Sequence, residues 1–312
     1  MLKMFRMSLI ALLVLSFSLV GCSSTEKTNK SDGEEKIIVT TTIGMIADVV
    51  KNVGGENVIS TGLMKSGVDP HLYKASQGDI RKLEEADIIF YNGLHLEGKM
   101  VDIFEKMADD KPTIAVTKDI PESALRSWDD GSAGHDPHVW FNVKHWISAT
   151  KTITNELSKF DPEHEEEYKA NAEAYMKKLE ELDQYVREQI STIPEETRVL
   201  VTAHDAFGYF GDAYDIKVMG LQGISTASEY GSKDVSSLRD FLVENKIKAV
   251  FVESSVPKKA IEAVIEGARK KGHEIFIGGE LFSDAMGEEG TEEGTYVGMV
   301  KHNVDTIVNA LK

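Results

Sequence analysis

"EHEEEYKANAEAYMKKLEELDQYVREQIS", residues Glu163 to Ser191, crosses the middle of the chain without a proline or a glycine. Within it Tyr168, Tyr175, Leu179, Leu182, Val186 and Ile190 recur at three, four or seven residues, the spacing that places side chains on one face of an α-helix. Asp161-Pro162 supplies a start signal, acidic residues crowd the first turn where they oppose the positive end of the helix dipole, and Pro194 lies just past the end. The pattern predicts one helix over residues 161–192, with a core of about 28 residues and a length of roughly 40 Å. A periodic helix this long is either a rigid connector within one molecule or a coiled-coil dimerisation helix.

The flanking sequence favours the connector. On its N-terminal side, "KIIVTTT" (Lys36 to Thr42) and "ADIIFYNG" (Ala86 to Gly93) are short apolar, β-branched runs, each next to a helical pattern. On its C-terminal side "RVLVTAH" (Arg198 to His204), "KAVFVESS" (Lys248 to Ser255) and "HEIFIGG" (His273 to Gly279) repeat that character, with helical patterns at Ser236–Glu244 and Lys259–Lys271 between them. Continuously apolar strands alternating with helices indicate mainly parallel sheets covered on both faces. The expected fold is therefore α/β, with two (β/α) lobes at 36–160 and 193–312 joined by the long helix.

The N-terminus has its own logic. Lys3 and Arg6 precede an apolar run, Met7 to Val20, that ends in Leu19-Val20-Gly21-Cys22. This is too short and too basic at its start for a membrane span, and it reads as a lipoprotein signal peptide over 1–21 with Cys22 as the lipidation site. Residues 22–35 hold no apolar side chain after the cysteine and read as a flexible tether. Cys22 is the only cysteine, so an intramolecular disulfide or a thiolate metal cluster is excluded. A net charge of −17 argues against nucleic acid as a partner, because phosphate binding needs a basic surface.

With 7 prolines and 9 histidines in the chain, Asp-Pro-His nevertheless occurs twice, as Asp69-Pro70-His71 and Asp136-Pro137-His138. Proline fixes its own φ and forces the preceding aspartate into an extended conformation, so the histidine is presented from a stiff backbone. The aspartate is placed to accept from a nearby backbone N–H or to orient the imidazole. In the second half His204 ends an apolar strand run and Asp284 follows another. Ligands of open α/β sheets collect beyond the carboxyl ends of strands, so His71 and His138 are placed to meet His204 and Asp284 across an interlobe cleft. Three imidazoles and a carboxylate suit a divalent first-row metal such as zinc, manganese or iron(II). Glu253, at the end of "VFVE", is a candidate partner for a ligating imidazole, and Trp140 and Phe141 are candidates to wall the site from water.

Together "VDPHLYKASQGDIRKLEEADIIFYNGLHLEGKM", "DPHVWFN", "VTAHDAFGYF", "VFVESSVP" and "GGELFSDAMG" resemble the metal-specific solute-binding lipoproteins of bacterial ABC transporters, most of all the manganese receptors of Bacillus-like bacteria. The resemblance covers nearly all of the chain after the tether. It implies that His71, His138, His204 and Asp284 ligate one metal between two lobes, and that a permease and its ATPase are the partners. It also implies a monomer anchored through Cys22 at the extracytoplasmic face of the membrane, on a Gram-positive surface. Many manganese members carry glutamate at the position of His204, which leaves zinc and iron(II) open beside manganese. The stretch before the second motif is short and holds only His135, unlike the long His-rich loop usual in zinc receptors, and this favours manganese. His95 matches a position that walls the site without touching metal. Delivery is expected to involve a small closure and a local rearrangement of the C-terminal ligand segment. A zinc hydrolase is the alternative from another class, disfavoured by four protein ligands and the lack of a nucleophile or His-Glu-x-x-His signature. An adhesin is a third, without an epitope in the sequence to support it.

Overall fold

The computed structural model describes residues 36–128 and 134–312. The signal peptide, Cys22 and the tether lie outside the described residues, as do residues 129–133 ahead of the second Asp-Pro-His.

The apolar run near the start of the folded chain forms β1 (Ile37–Thr41), buried along most of its length. β2 (Val58–Gly62) and β3 (Ile88–Tyr91) pair with it on either side and β4 (Thr113–Ala115) lies beyond β3, giving a parallel sheet of order β2-β1-β3-β4. Helices α1 (Gly44–Gly54), α2 (Gln77–Glu85) and α3 (Val101–Asp110) connect these strands. Ser76 caps α2 through a reciprocal pair of bonds with Asp79, satisfying two amides that the first turn leaves without partners.

Two consecutive helices, α4 (Val143–Phe160) and α5 (Glu165–Ser191), separate this sheet from the second strand–helix run. That run is β5 (Val199–His204), α6 (Gly208–Tyr214), β6 (Lys217–Gln222), α7 (Ser232–Glu244), β7 (Ala249–Glu253), α8 (Lys259–Lys270), β8 (Phe276–Leu281) and α9 (Tyr296–Leu311). β5 pairs with β6 and β7 with β8, all parallel, and β5 packs against β7. The predicted strand from His273 starts three residues late. Gly272, at φ 78°, turns the chain out of α8, and the His273 ring bonds the Ile247 carbonyl at 2.6 Å, so these residues belong to the turn.

α5 begins after a 3₁₀ turn at Pro162–His164, and every residue of the predicted apolar stripe is buried. The stripe packs against α1 and α4 on one side and α9 on the other, so it is consumed within the chain. Polar ties fix its register: Tyr175 donates to the Asp48 carboxylate of α1 at 2.8 Å, and Asn171 donates to the Val53 carbonyl at 3.1 Å. A large apolar core runs from β1 through α5 to α9, a second lies between β5, β7, α7 and α8, and Lys36–Lys312 form a single compact unit. Among the described residues no helix is long and apolar enough to cross a membrane.

Because α5 is shared by both strand–helix runs, a cavity in its buried face weakens the whole unit. Leu179→Ala is expected to cost about 2–5 kcal/mol, read as a lower urea midpoint with an unchanged slope. Lys177→Ala, on the exposed face of the same helix, is expected to stay within about 0.5 kcal/mol of the parent.

Candidate metal centre

Each donor is delivered by a segment that follows a strand or precedes a helix. His71 lies in the loop between β2 and α2, His138 just before α4, His204 at the last residue of β5, and Asp284 three residues past β8. These four side chains offer atoms that all lie within 4.8 Å of one another. The Nε2 atoms of His71 and His138 are 3.3 Å apart, and the Asp284 carboxylate lies 3.6, 3.2 and 3.3 Å from Nε2 of His71, His138 and His204. All four residues are buried.

The repeated Asp-Pro-His is one backbone device used twice. Asp69 Oδ1 accepts the His71 amide and Asp136 Oδ1 accepts the His138 amide, both at 2.9 Å, closing the same turn across each proline. Beyond that turn the copies diverge. Asp136 Oδ1 also meets His138 Nδ1 at 2.7 Å, which orients the ring and leaves Nε2 for the site. The Asp69 carboxylate instead sends Oδ2 to the Thr226 hydroxyl at 2.6 Å. Glu253, at the end of β7, treats His204 as Asp136 treats His138: Oε1 accepts the His204 amide at 2.8 Å and Oε2 holds Nδ1.

The second motif is fastened from several sides. Tyr209 donates to the Asp136 carbonyl at 2.9 Å, and Asn92 donates to the Pro137 carbonyl at 3.0 Å. Arg126 lies 3.8 Å from the Asp136 carboxylate. Gly208 leaves room for this arrangement, since a β-carbon there would stand 2.6 Å from Arg126 Nε. Trp140 is wholly buried, sets its ring edge-on to His138 and donates to the Ser283 carbonyl at 3.1 Å, which ties the His138 segment to the Asp284 segment.

The electrostatics are those of a site built around positive charge. Burial opposes protonation of His138, yet Asp136 and Asp284 outweigh it and lift its pKa to about 9. His204 is likewise carried well above the imidazole range, against burial, by Glu253 and Asp284. Asp284 would be pushed up by burial, but His204 and His138 hold it well below the carboxylate range. His71 lacks an orienting carboxylate, and burial drives it down to about 3. Both oxygens of Asp284 and Nε2 of His204 are buried without a hydrogen-bond partner, although imidazoles stand within ion-pair distance. A buried carboxylate and imidazole nitrogens converging on one point are what a cation satisfies.

The comparisons with known proteins agree with this chemistry. The model of the family described as ZnuA, zinc-uptake complex component A periplasmic, matches residues 39–310. The chain belongs to this family of metal-binding substrate receptors. The manganese-binding lipoprotein MntA of Bacillus subtilis (strain 168) is 52% identical over 302 residues, covering 97% of this chain and 98% of the relative. The zinc-binding protein TroA of Treponema pallidum (strain Nichols) is 48% identical over 308 residues, covering 99% of each. The solved structure of periplasmic zinc binding protein TroA from the same organism superposes with a TM-score of 0.87 at 51% identity, over 89% of this chain and 99% of that one. ZnuA-family proteins are receptors and not enzymes, which sets the hydrolase alternative aside.

The other histidines of this ZnuA-family receptor stand apart from the four donors. His135 lies 3.9 Å from the exposed Glu122 carboxylate, and its backbone carbonyl accepts from Trp128 at 2.7 Å. His95 is exposed and lines a cavity of about 310 Å³ that also reaches His71. His164 bonds Asp161, His302 bonds the Glu280 carbonyl, and His145 packs edge-on against Tyr209. Sequence reasoning missed Thr226, Tyr209 and Asn92, whose residue types carry no metal signal and whose relevance is purely spatial.

Removing an orienting carboxylate tests this wiring. Glu253→Ala is expected to weaken divalent-metal affinity about 10–100-fold in a competition titration. Glu253→Gln keeps an acceptor for the His204 amide and is expected to fall between the two.

Proposed function

We propose that this protein is an extracytoplasmic receptor that captures one divalent transition metal, Mn²⁺ in the first instance, and hands it to an ABC transporter permease and ATPase for import. His71, His138, His204 and Asp284 ligate the ion, and Glu253 and Asp136 orient two of the imidazoles. The observation that carries this reading is the convergence of four buried donors from both strand–helix runs, with the Asp284 oxygens left without hydrogen-bond partners. Residues 36–160 and 193–312 act as the two lobes that supply the donors, and lipidation of Cys22 anchors a monomer at the outer membrane face.

Manganese is favoured by the name and 52% identity of the Bacillus subtilis relative, and by the lack of a His-rich stretch before His138. Both Asp284 oxygens face the site, and binding through both would allow a coordination number above the tetrahedral set zinc prefers. Zinc is the second reading, supported by three imidazoles and by the zinc-binding relative of 48% identity. Manganese is the weakest of the first-row divalent ions in a given site, so zinc is expected to displace it from purified protein whichever ion the cell supplies.

Metal analysis and competition titration test the assignment. The parent is expected to hold one ion per chain, and His204→Ala is expected to lose more than about 100-fold in affinity, beyond the loss typical of an orienting partner. Full affinity in that variant would overturn the ligand set.

Proton linkage gives a second check. His138, lifted to about 9 by Asp136 and Asp284, and His204, raised well above the ordinary imidazole value by Glu253 and Asp284, both favour the protonated form at neutral pH without metal, whereas ligation needs neutral rings. Binding is therefore expected to release about two protons per ion near pH 7, with affinity rising as pH rises toward 9. Calorimetry in buffers of different ionisation enthalpy measures that number. Release of none would contradict the charge balance described above.

A further inference from the structure

Three of the four donors are held by partners deep in the protein. His138 is oriented by Asp136, His204 by Glu253, and the Asp284 segment by Trp140 on Ser283 and by Asn303, which donates to the Phe282 carbonyl at 2.7 Å and accepts its amide at 2.9 Å. His71 differs. Among the described residues no partner meets its Nδ1, and at 4% exposure it is the least buried of the set, against 0–1% for the others. Its position depends on the Asp69 turn, and hence on whatever holds Asp69.

What holds Asp69 comes from the opposite half of the chain. The Thr226 hydroxyl donates to Asp69 Oδ2 at 2.6 Å while Oδ1 accepts the His71 amide. Thr226 sits in a tight loop after β6, where the Ser228 amide bonds the Ser225 carbonyl. Gln222 clamps that loop by donating to the carbonyls of Thr226 and Ser228 at 2.6 and 2.7 Å. Gln222 is the register partner of His204 in the β5–β6 ladder, and its carbonyl accepts the Asp205 amide. A continuous tie therefore runs from His204 through Gln222, Thr226 and Asp69 to His71. The same loop, at Ser225 and Ala227, lines the cavity that reaches His71, beside His95 and Lys99.

We infer that Thr226 is a positioning residue for metal release: its bond to Asp69 locks His71 onto the ion, and breaking that bond frees His71 first and opens the route out through the adjoining cavity. This rests on the metal-receptor reading above. It places the first movement at the N-terminal donor, not at the C-terminal ligand segment that sequence reasoning favours. The physical reason is the anchoring: Asp284 is tied to α9 and Trp140, while His71 is tied to one hydroxyl on a half-buried loop.

The test is the rate at which Mn²⁺, and separately Zn²⁺, leaves the full-length protein for excess chelator in a stopped-flow experiment. Thr226→Val keeps the shape and removes the donor, and is expected to speed release about 10-fold, the scale on which partners outside the ligand set act. Thr226→Ser restores the hydroxyl and is expected to release at the parent rate. The melting temperature of the metal-free protein should not separate the three, since Thr226 lies in a surface loop. A Thr226→Val rate equal to the parent's, or failure of Thr226→Ser to restore it, would overturn the inference. If the parent itself binds no metal, the receptor reading fails instead, and the two failures are told apart.

Discussion

A carboxylate taken out of water is among the costliest things a fold can contain unless positive charge opposes it, and Asp284 is such a group. Most of what surrounds it serves to make that burial tolerable. Three imidazoles face it, two of them backed by the buried carboxylates of Asp136 and Glu253. Arg126 stands beside Asp136, and the two carboxylate-backed imidazoles face Asp284 at the centre. The neighbouring carboxylates favour protons on His138 and His204, and on the receptor reading proposed above one divalent ion would take their place. Such an exchange would replace positive charge with positive charge beside the buried carboxylates.

The second Asp-Pro-His is braced by more partners than the first. His138 and His204 are each held at Nδ1 by a buried carboxylate. His71, driven toward neutrality by burial, has no such carboxylate among the described residues. It is fixed through its backbone alone, by a turn that the opposite half of the chain braces.

Much of the architecture was readable because its signals are local. The stripe from Tyr168 to Ile190 is a helical period sustained for seven turns without a breaker, and strands such as β1, β3, β5 and β7 are apolar runs bounded by turn residues. β2, β4 and β6 escaped notice for the complementary reason. β2 and β6 are only partly buried along their length and β4 has three residues, so neither a continuous apolar run nor a clean alternation marks them. Helices α4 and α9 passed unremarked because their apolar faces are interrupted by threonines, glycine and asparagine that find partners only in the packed molecule.

The sequence by itself determined the α/β class and the connecting helix, and it singled out the four residues that the fold brings together, since proline stiffness, strand-end placement and helical period act within a few residues of one another. Only the tertiary structure decided how unlike the two Asp-Pro-His copies are. Whether an aspartate turns to its own histidine ring, as Asp136 does, or to a hydroxyl more than 150 residues away, as Asp69 does at a separation of 157, depends on what the fold brings alongside. The same holds for Glu253 against His204. Pairings between distant segments are set by the packing of strands and helices, and no property of either residue alone encodes them.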